Sequence, residues 1–191
     1  QIDKSDSRFI PFSIADQAKS HQAPLAFALE FLLGVAESRL AVSDLLDLLD
    51  VPAVRQRFGI ETEDLPLLHQ WIGQTNIRWG LNAEHREQFI NQRFEQNTWM
   101  HGLKRMLLGY ATGCDPTERE DYDWHGIEPH GEVSGLDAAL VGPLARLLIK
   151  LESLAKTFAT LATPEAWDER LQALLQDFFR SDVPEDSAML L

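Results

Sequence analysis

From residue 24 onward the apolar residues of this chain recur at helical spacing, in short blocks cut apart by proline, glycine and capping residues. Leu25, Ala28, Leu29, Leu32 and Leu33 fall at i, i+3, i+4, i+7 and i+8. Pro24 suits the first turn of that helix, where its missing N–H costs nothing. Ser43 stands where a cap is needed for a helix over 44–50, with acids at its front and Leu45, Leu46, Leu48 and Leu49 on one side. Pro52 restarts a short helix that ends at Arg57-Phe58, and Gly59 supplies a residue able to close it. Thr62 caps the next helix, through Trp71 and Ile72, closed by Gly73. The stretch Asn76–Trp79 reads as extended, with a turn at Gly80. A weaker helix follows Asn82, and a stronger one, capped by Asn97 or Thr98, runs to Ala111 before Gly113.

Residues 112–133 form a long polar, acidic loop. Ser134 opens the longest helical pattern, to about Ala159, built on Leu136, Leu140, Val141, Leu144, Leu147, Leu148 and Leu151. Pro143 inside it is expected to kink or split that helix. Thr163-Pro164-Glu165 starts the last helix, which runs to Phe179. Only the front differs: Arg8–Asp16 alternates loosely and reads as a short extended segment. The expected fold class is therefore all-α, a mainly helical bundle with a short extended N-terminal segment. Residues 1–20 form that segment and residues 21–191 the helical domain.

A chain of 191 residues can bury a real core in one domain or two small ones. Its net charge of −13 argues against a free-standing nucleic-acid binder, which needs clustered Lys and Arg. The distribution says more than the total. Between residues 55 and 105, Arg55, Arg57, Arg78, Arg86, Arg93, Lys104 and Arg105 face Glu61, Glu63, Asp64, Glu84, Glu87 and Glu95, so the middle is near neutral. The acidity lies in 115–137 and from Glu165 onward. No apolar run suits a membrane span; the longest, 25–36, is broken by Glu30. A single cysteine, Cys114, forms no internal disulfide and fits a reducing, cytoplasmic setting. The opening Gln1-Ile2-Asp3-Lys4, without an initiator Met or a signal pattern, is expected of a piece of a longer protein.

Catalytic chemistry is hard to build from what remains. Asp121–Glu132 carries two histidines and several carboxylates that could ligate a divalent metal, and a metal-dependent hydrolase is one rival reading. The spacing matches no helical His pair or finger, however, and a solvated acidic loop explains it. Cys114 has no surrounding nucleophile elbow. Gly109 and Gly113 read as helix-end glycines and not as a phosphate loop. The row Asp44, Asp47, Asp50 reads as a solvated face, and His21, His69 and His85 as surface or interface residues. Trp71 and Trp99 read as core anchors. Arg78-Trp79 is open in two ways: the pair can stack a base or hold a phosphate, or it can bury the indole and snorkel the arginine. No catalytic or metal residue is assigned.

Several stretches in order along the chain carry a resemblance. They are Ile10–Asp16, Leu45–Arg57 with Phe58-Gly59-Ile60, Ile77-Arg78-Trp79-Gly80, Gln96-Asn97-Thr98-Trp99, Gly102–Ala111, Ser134-Gly135-Leu136 and Leu140-Val141-Gly142. Together they resemble the gamma subunit of bacterial exodeoxyribonuclease V, the RecC family. The resemblance implies a superfamily 1 helicase relative without ATPase motifs. Residues 1–20 would close a RecA-like motor domain, and the rest would be the inserted, helical domain 2B. It further implies a non-catalytic scaffold and strand channel in a bacterial, cytoplasmic DNA-repair and recombination complex. RecB-like and RecD-like subunits and DNA would be its partners, with no membrane. No cofactor is implied here, since ATP and Mg would serve the partner subunits. The near-neutral middle makes Arg78, Trp79, Arg86, Arg93, Lys104 and Arg105 the candidates for contact with nucleic acid or a partner. An acidic helical adaptor with no DNA role is the other rival. Pro143 and His130 depart from the family pattern, the latter where an aromatic is usual.

Overall fold

The structure, a computed structural model, describes residues 24–113 and 124–179. The extended segment expected at the front, Cys114 and Asp121–Asp123 lie outside the described residues. Eight α-helices follow one another: α1 Pro24–Leu33, α2 Val42–Leu49, α3 Pro52–Phe58, α4 Leu65–Gln74, α5 Ala83–Ile90, α6 Trp99–Thr112, α7 Val141–Phe158 and α8 Pro164–Phe178. Two 3₁₀ turns, Thr62–Asp64 and Asp137–Leu140, lead into α4 and α7. No strand occurs among the described residues, so the domain is all-α.

The longest helix, α7, is the centre. It packs against α1, α3, α6 and α8, and its face of Leu144, Leu147, Leu148 and Leu151 is fully buried. Trp71 and Trp99 are core residues, at 1% and 0% exposure. The Trp99 indole N–H donates to the Leu40 carbonyl at 2.8 Å. Leu40 is itself fully buried with a φ of 51°, a left-handed backbone that a side chain rarely adopts. The indole and the Ser38 hydroxyl, which accepts from the Leu40 N–H, hold it there.

Several boundaries differ from expectation, each for a local reason. Helix α2 starts two residues early, capped by Ala41 without a side-chain bond, while the Ser43 hydroxyl turns to Asp44. Glu61 and Asp64 form the capping box ahead of α4, because the Thr62 hydroxyl accepts from Arg55 instead. Gly73 lies inside α4, which ends at Gln74 with the Thr75 hydroxyl bonded to the Trp71 carbonyl. The pattern from Ser134 is split: Leu136 is exposed, and the α-helix begins only at Val141. Pro143 then stands in the first turn, where helical N–H groups have no partner to lose. The caps at Asn82, Thr98 and Thr163 form as expected, each side chain accepting a backbone N–H three residues on.

The arginines follow a rule of their own. Arg55 donates to the carbonyls of Leu49 and Asp50 at the end of α2, and Arg146 to Phe58 at the end of α3. Arg105 donates to Thr75 after α4, Arg170 to Thr160 just past α7, and Arg57 to Gln176 in the last turn of α8. Helices α2, α4 and α8 have no basic residue in their own last turns. A guanidinium from elsewhere satisfies the orphan carbonyls and the negative end of each helix dipole.

Candidate partner interface

The stretches Ile77–Gly80 and Gln96–Trp99, far from helical in themselves, meet in space. Arg78 N–H donates to the Asn97 carbonyl at 2.9 Å, Trp99 N–H to Gly80 at 3.0 Å and Met100 N–H to Leu81 at 2.9 Å. A third strip joins from before α2: Gly80 N–H donates to Arg39, and Val42 N–H to Arg78. Three loops are thus laced edge to edge without forming a sheet.

Arg86 ties them together. It leaves α5 with only 7% exposure and donates to Trp79 through Nε and Nη2, to Gln96 at 2.6 Å and to Asn97 at 3.0 Å. No carboxylate takes part. The Trp79 ring covers its guanidinium at 4.7 Å, a cation–π contact strengthened by burial. Burial pushes the Arg86 pKa down, yet an arginine stays protonated at any physiological pH. Gly80, with φ of 80°, lies against the Arg86 stem, which a Cβ would strike.

Helix α6 closes the assembly through two glycines on one face. A Cβ on Gly102 would run into the Ile77 side chain, and one on Gly109 into the His130 carbonyl. Gly109 is therefore not a helix-end residue but the point where the loop before α7 lies against the helix. His130 N–H donates to the Arg105 carbonyl at 2.9 Å, and Arg105 Nε to Glu128 O, also at 2.9 Å. From the same loop Glu132 accepts from Gln70 and Gln74 of α4.

The six candidate residues separate. Arg86 is internal, and Arg105 is largely so, held by Thr75, Glu128 and its carboxylate. Trp79 is half-buried between arginines. Arg78 is exposed, and among the described residues its guanidinium bonds only to Asn76 Oδ1, at 3.3 Å. Lys104 pairs with Glu95, and Arg93 lies 3.8 Å from Glu87 with both exposed, a weak contact. Sequence reasoning passed over Arg39. Its guanidinium stands 5.9 Å from the Trp79 ring and 5.8 Å from Phe89, and among the described residues it has no carboxylate partner. Its only signal in sequence was a lone positive charge in the turn before α2.

Histidines fare differently from expectation. His69 is exposed, but His85 is buried, its Nδ1 accepting from Leu81 N–H at 3.4 Å. Burial lowers the His85 pKa, with the Ser38 carbonyl opposing. That of His101 is lowered by burial first and then by Arg105, against Glu95. In the acidic loop His125 is exposed while His130 is buried. Among the described residues no group of three His, Cys, Asp or Glu is placed to hold a metal. No helix of the described residues is long and apolar enough to cross a membrane.

Residues 22–191 match the family model described as the RecBCD enzyme subunit RecC fourth domain. The RecBCD enzyme subunit RecC of Escherichia coli (strain K12) is 36% identical over 184 residues, 96% of this chain and 16% of that protein. Its counterpart in Haemophilus influenzae is 37% identical over 170 residues, 89% of this chain and 14% of that protein. The one in Mycobacterium tuberculosis (strain H37Rv) is 31% identical over 158 residues, 83% and 14% respectively. The chain thus spans about a sixth of the length of these relatives.

Proposed function

This chain belongs to the RecC family, and we propose that it works as a non-catalytic scaffold domain of a RecC-like subunit in a RecBCD-type enzyme. The observation that supports this is the junction around Arg86. The stretches with the most recognisable spelling converge there on backbone carbonyls, ring faces and glycine contacts, with no nucleophile, general base or metal ligand set. Their chemistry is that of position. In this reading residues 21–191 are the inserted 2B-like domain of a degenerate helicase and 1–20 the end of a motor domain. RecB-like and RecD-like subunits are the partners, DNA is met in the assembled complex, and ATP and Mg are used by those subunits, in the bacterial cytoplasm.

The test separates architecture from chemistry. In the full-length subunit, Arg86→Gln should lower thermal stability and the yield of assembled complex. Nuclease and unwinding activity per assembled complex should stay unchanged. A complex that assembles in full but works slowly would contradict the scaffold reading.

A further inference from the structure

Most cations of the described domain are committed to carbonyls or carboxylates, and two are not. Arg39 and Arg78 leave neighbouring strips of backbone, joined by Gly80 N–H to Arg39 O and Val42 N–H to Arg78 O. Both are exposed, and among the described residues neither meets a carboxylate. Arg39 is held over Trp79 and Phe89, so part of its ordering entropy is already lost before anything binds. Helix α5, which carries Phe89, and the loop after it also present apolar side chains that the fold leaves uncovered. Ile90, next to Phe89 at the end of α5, is 41% exposed. Phe94 is 51% exposed, on the loop whose Gln96 and Asn97 carbonyls Arg86 grips. The backing is stiff, since the loops beneath are laced to one another and to Arg86.

Resting on the scaffold reading, we propose that this face docks an acidic polypeptide segment of another subunit, its carboxylates on Arg39 and Arg78 and its apolar side chains on Phe94 and Ile90. Charge complementarity selects an anionic occupant, because among the described residues Arg39 and Arg78 are the cations without a carboxylate or backbone-carbonyl partner, on a chain of net charge −13. The count of cations selects polypeptide over nucleic acid. Nucleic-acid affinity comes mainly from many Lys and Arg contacts to phosphates, and among the described residues two cations are free here, with Lys104 and Arg93 already beside Glu95 and Glu87. Aliphatic Ile90 offers no stacking platform, whereas a carboxylate-bearing segment with a buried apolar anchor uses both kinds of residue.

The experiment uses the full-length subunit carrying Arg39→Glu with Arg78→Glu, beside Arg93→Glu as a nearby exposed control. Three readouts are taken: thermal midpoint, affinity for the partner subunits by sedimentation, and DNA binding of the assembled complex against salt. The double variant should keep its midpoint and lose roughly tenfold or more in assembly affinity, as like charges meet, while Arg93→Glu does not. Hydrogen exchange of residues 88–97 should slow on assembly and not before it. Unchanged assembly overturns the proposal, as does protection of 88–97 already in the free subunit, which would mean that the subunit's own chain covers the face. A shallower DNA salt slope with normal assembly also overturns it and assigns the face to nucleic acid. Failure of the scaffold reading looks different: activity per assembled complex would fall in Arg86→Gln whatever these variants do.

Discussion

Arg78 and Arg86 belong to one short stretch of chain and end in opposite situations. Arg86 is buried, bonded to three carbonyls and covered by an indole, whereas Arg78 stands in solvent with one long contact to Asn76. The difference is set by what lies within reach, not by the residue. Loop backbone that cannot form helix or sheet still has carbonyls to satisfy, and a guanidinium with five donors answers several at once. Once Arg86 has knitted the loops, Arg78 is carried on their outer edge. One arginine makes the surface and the other is displayed on it.

Removing each in turn separates the two roles by the largest margin. Arg86→Ala should cost about 3 kcal/mol or more, since three carbonyls lose a charged donor in a buried setting. Arg78→Ala should stay within about 0.5 kcal/mol. Urea denaturation of both variants measures the gap. Arg86→Lys should recover little, because a point charge cannot span the three acceptors.

Next in size is the glycine face of α6. Gly109→Ala drives a methyl group into the backbone of His130 and should cost about 2–3 kcal/mol, while Gly102→Ala meets side chains alone, Ile77 and the Thr75 hydroxyl, and should cost about 1 kcal/mol. Equal midpoints for the two would mean that the loop at 128–133 yields as easily as a side chain.

A smaller effect comes with pH. His85 and His101 have pKa values lowered in the folded state, so between those values and the unfolded value of about 6.5 the unfolded chain binds more protons. Stability should be full above pH ~6.5 and fall as pH drops through that window. Protonated His85 also loses the lone pair that accepts Leu81 N–H. The thermal midpoint followed downward from pH 7.5 should fall more gently in His85→Gln than in the parent. Smallest of all, Arg170→Ala removes an exposed guanidinium from the Thr160 carbonyl and should cost about 0.5 kcal/mol.

Helix periodicity made the fold legible. Leu144, Leu147, Leu148 and Leu151 on α7, the caps at Asn82, Thr98 and Thr163, and the anchors Trp71 and Trp99 all stand where local pattern puts them. What pattern could not reach was long-range. Thr62 looked like a cap until Arg55 reached its hydroxyl, and Gly109 looked like a terminator until a distant loop settled on it. The surroundings of the candidate residues were out of reach for the same reason. Charge counting over the middle of the chain finds basic residues but not their carbonyl acceptors, so it included Arg86 and Arg105. It also passed over Arg39, whose ring contacts come from separate stretches of the chain.

Hydrogen bonds between the loops make Arg78–Gly80 and Gln96–Trp99 one rigid unit, not a pair of mobile connectors. Hydrogen exchange on the full-length subunit measures this at the amides of Arg78, Gly80, Trp99 and Met100, each bonded to a carbonyl of another loop. These amides should open only in the same cooperative step as the core of α7, and Arg86→Ala should release them together. Rapid, independent exchange in the parent protein, at the rate of frayed surface loops, would contradict that rigidity.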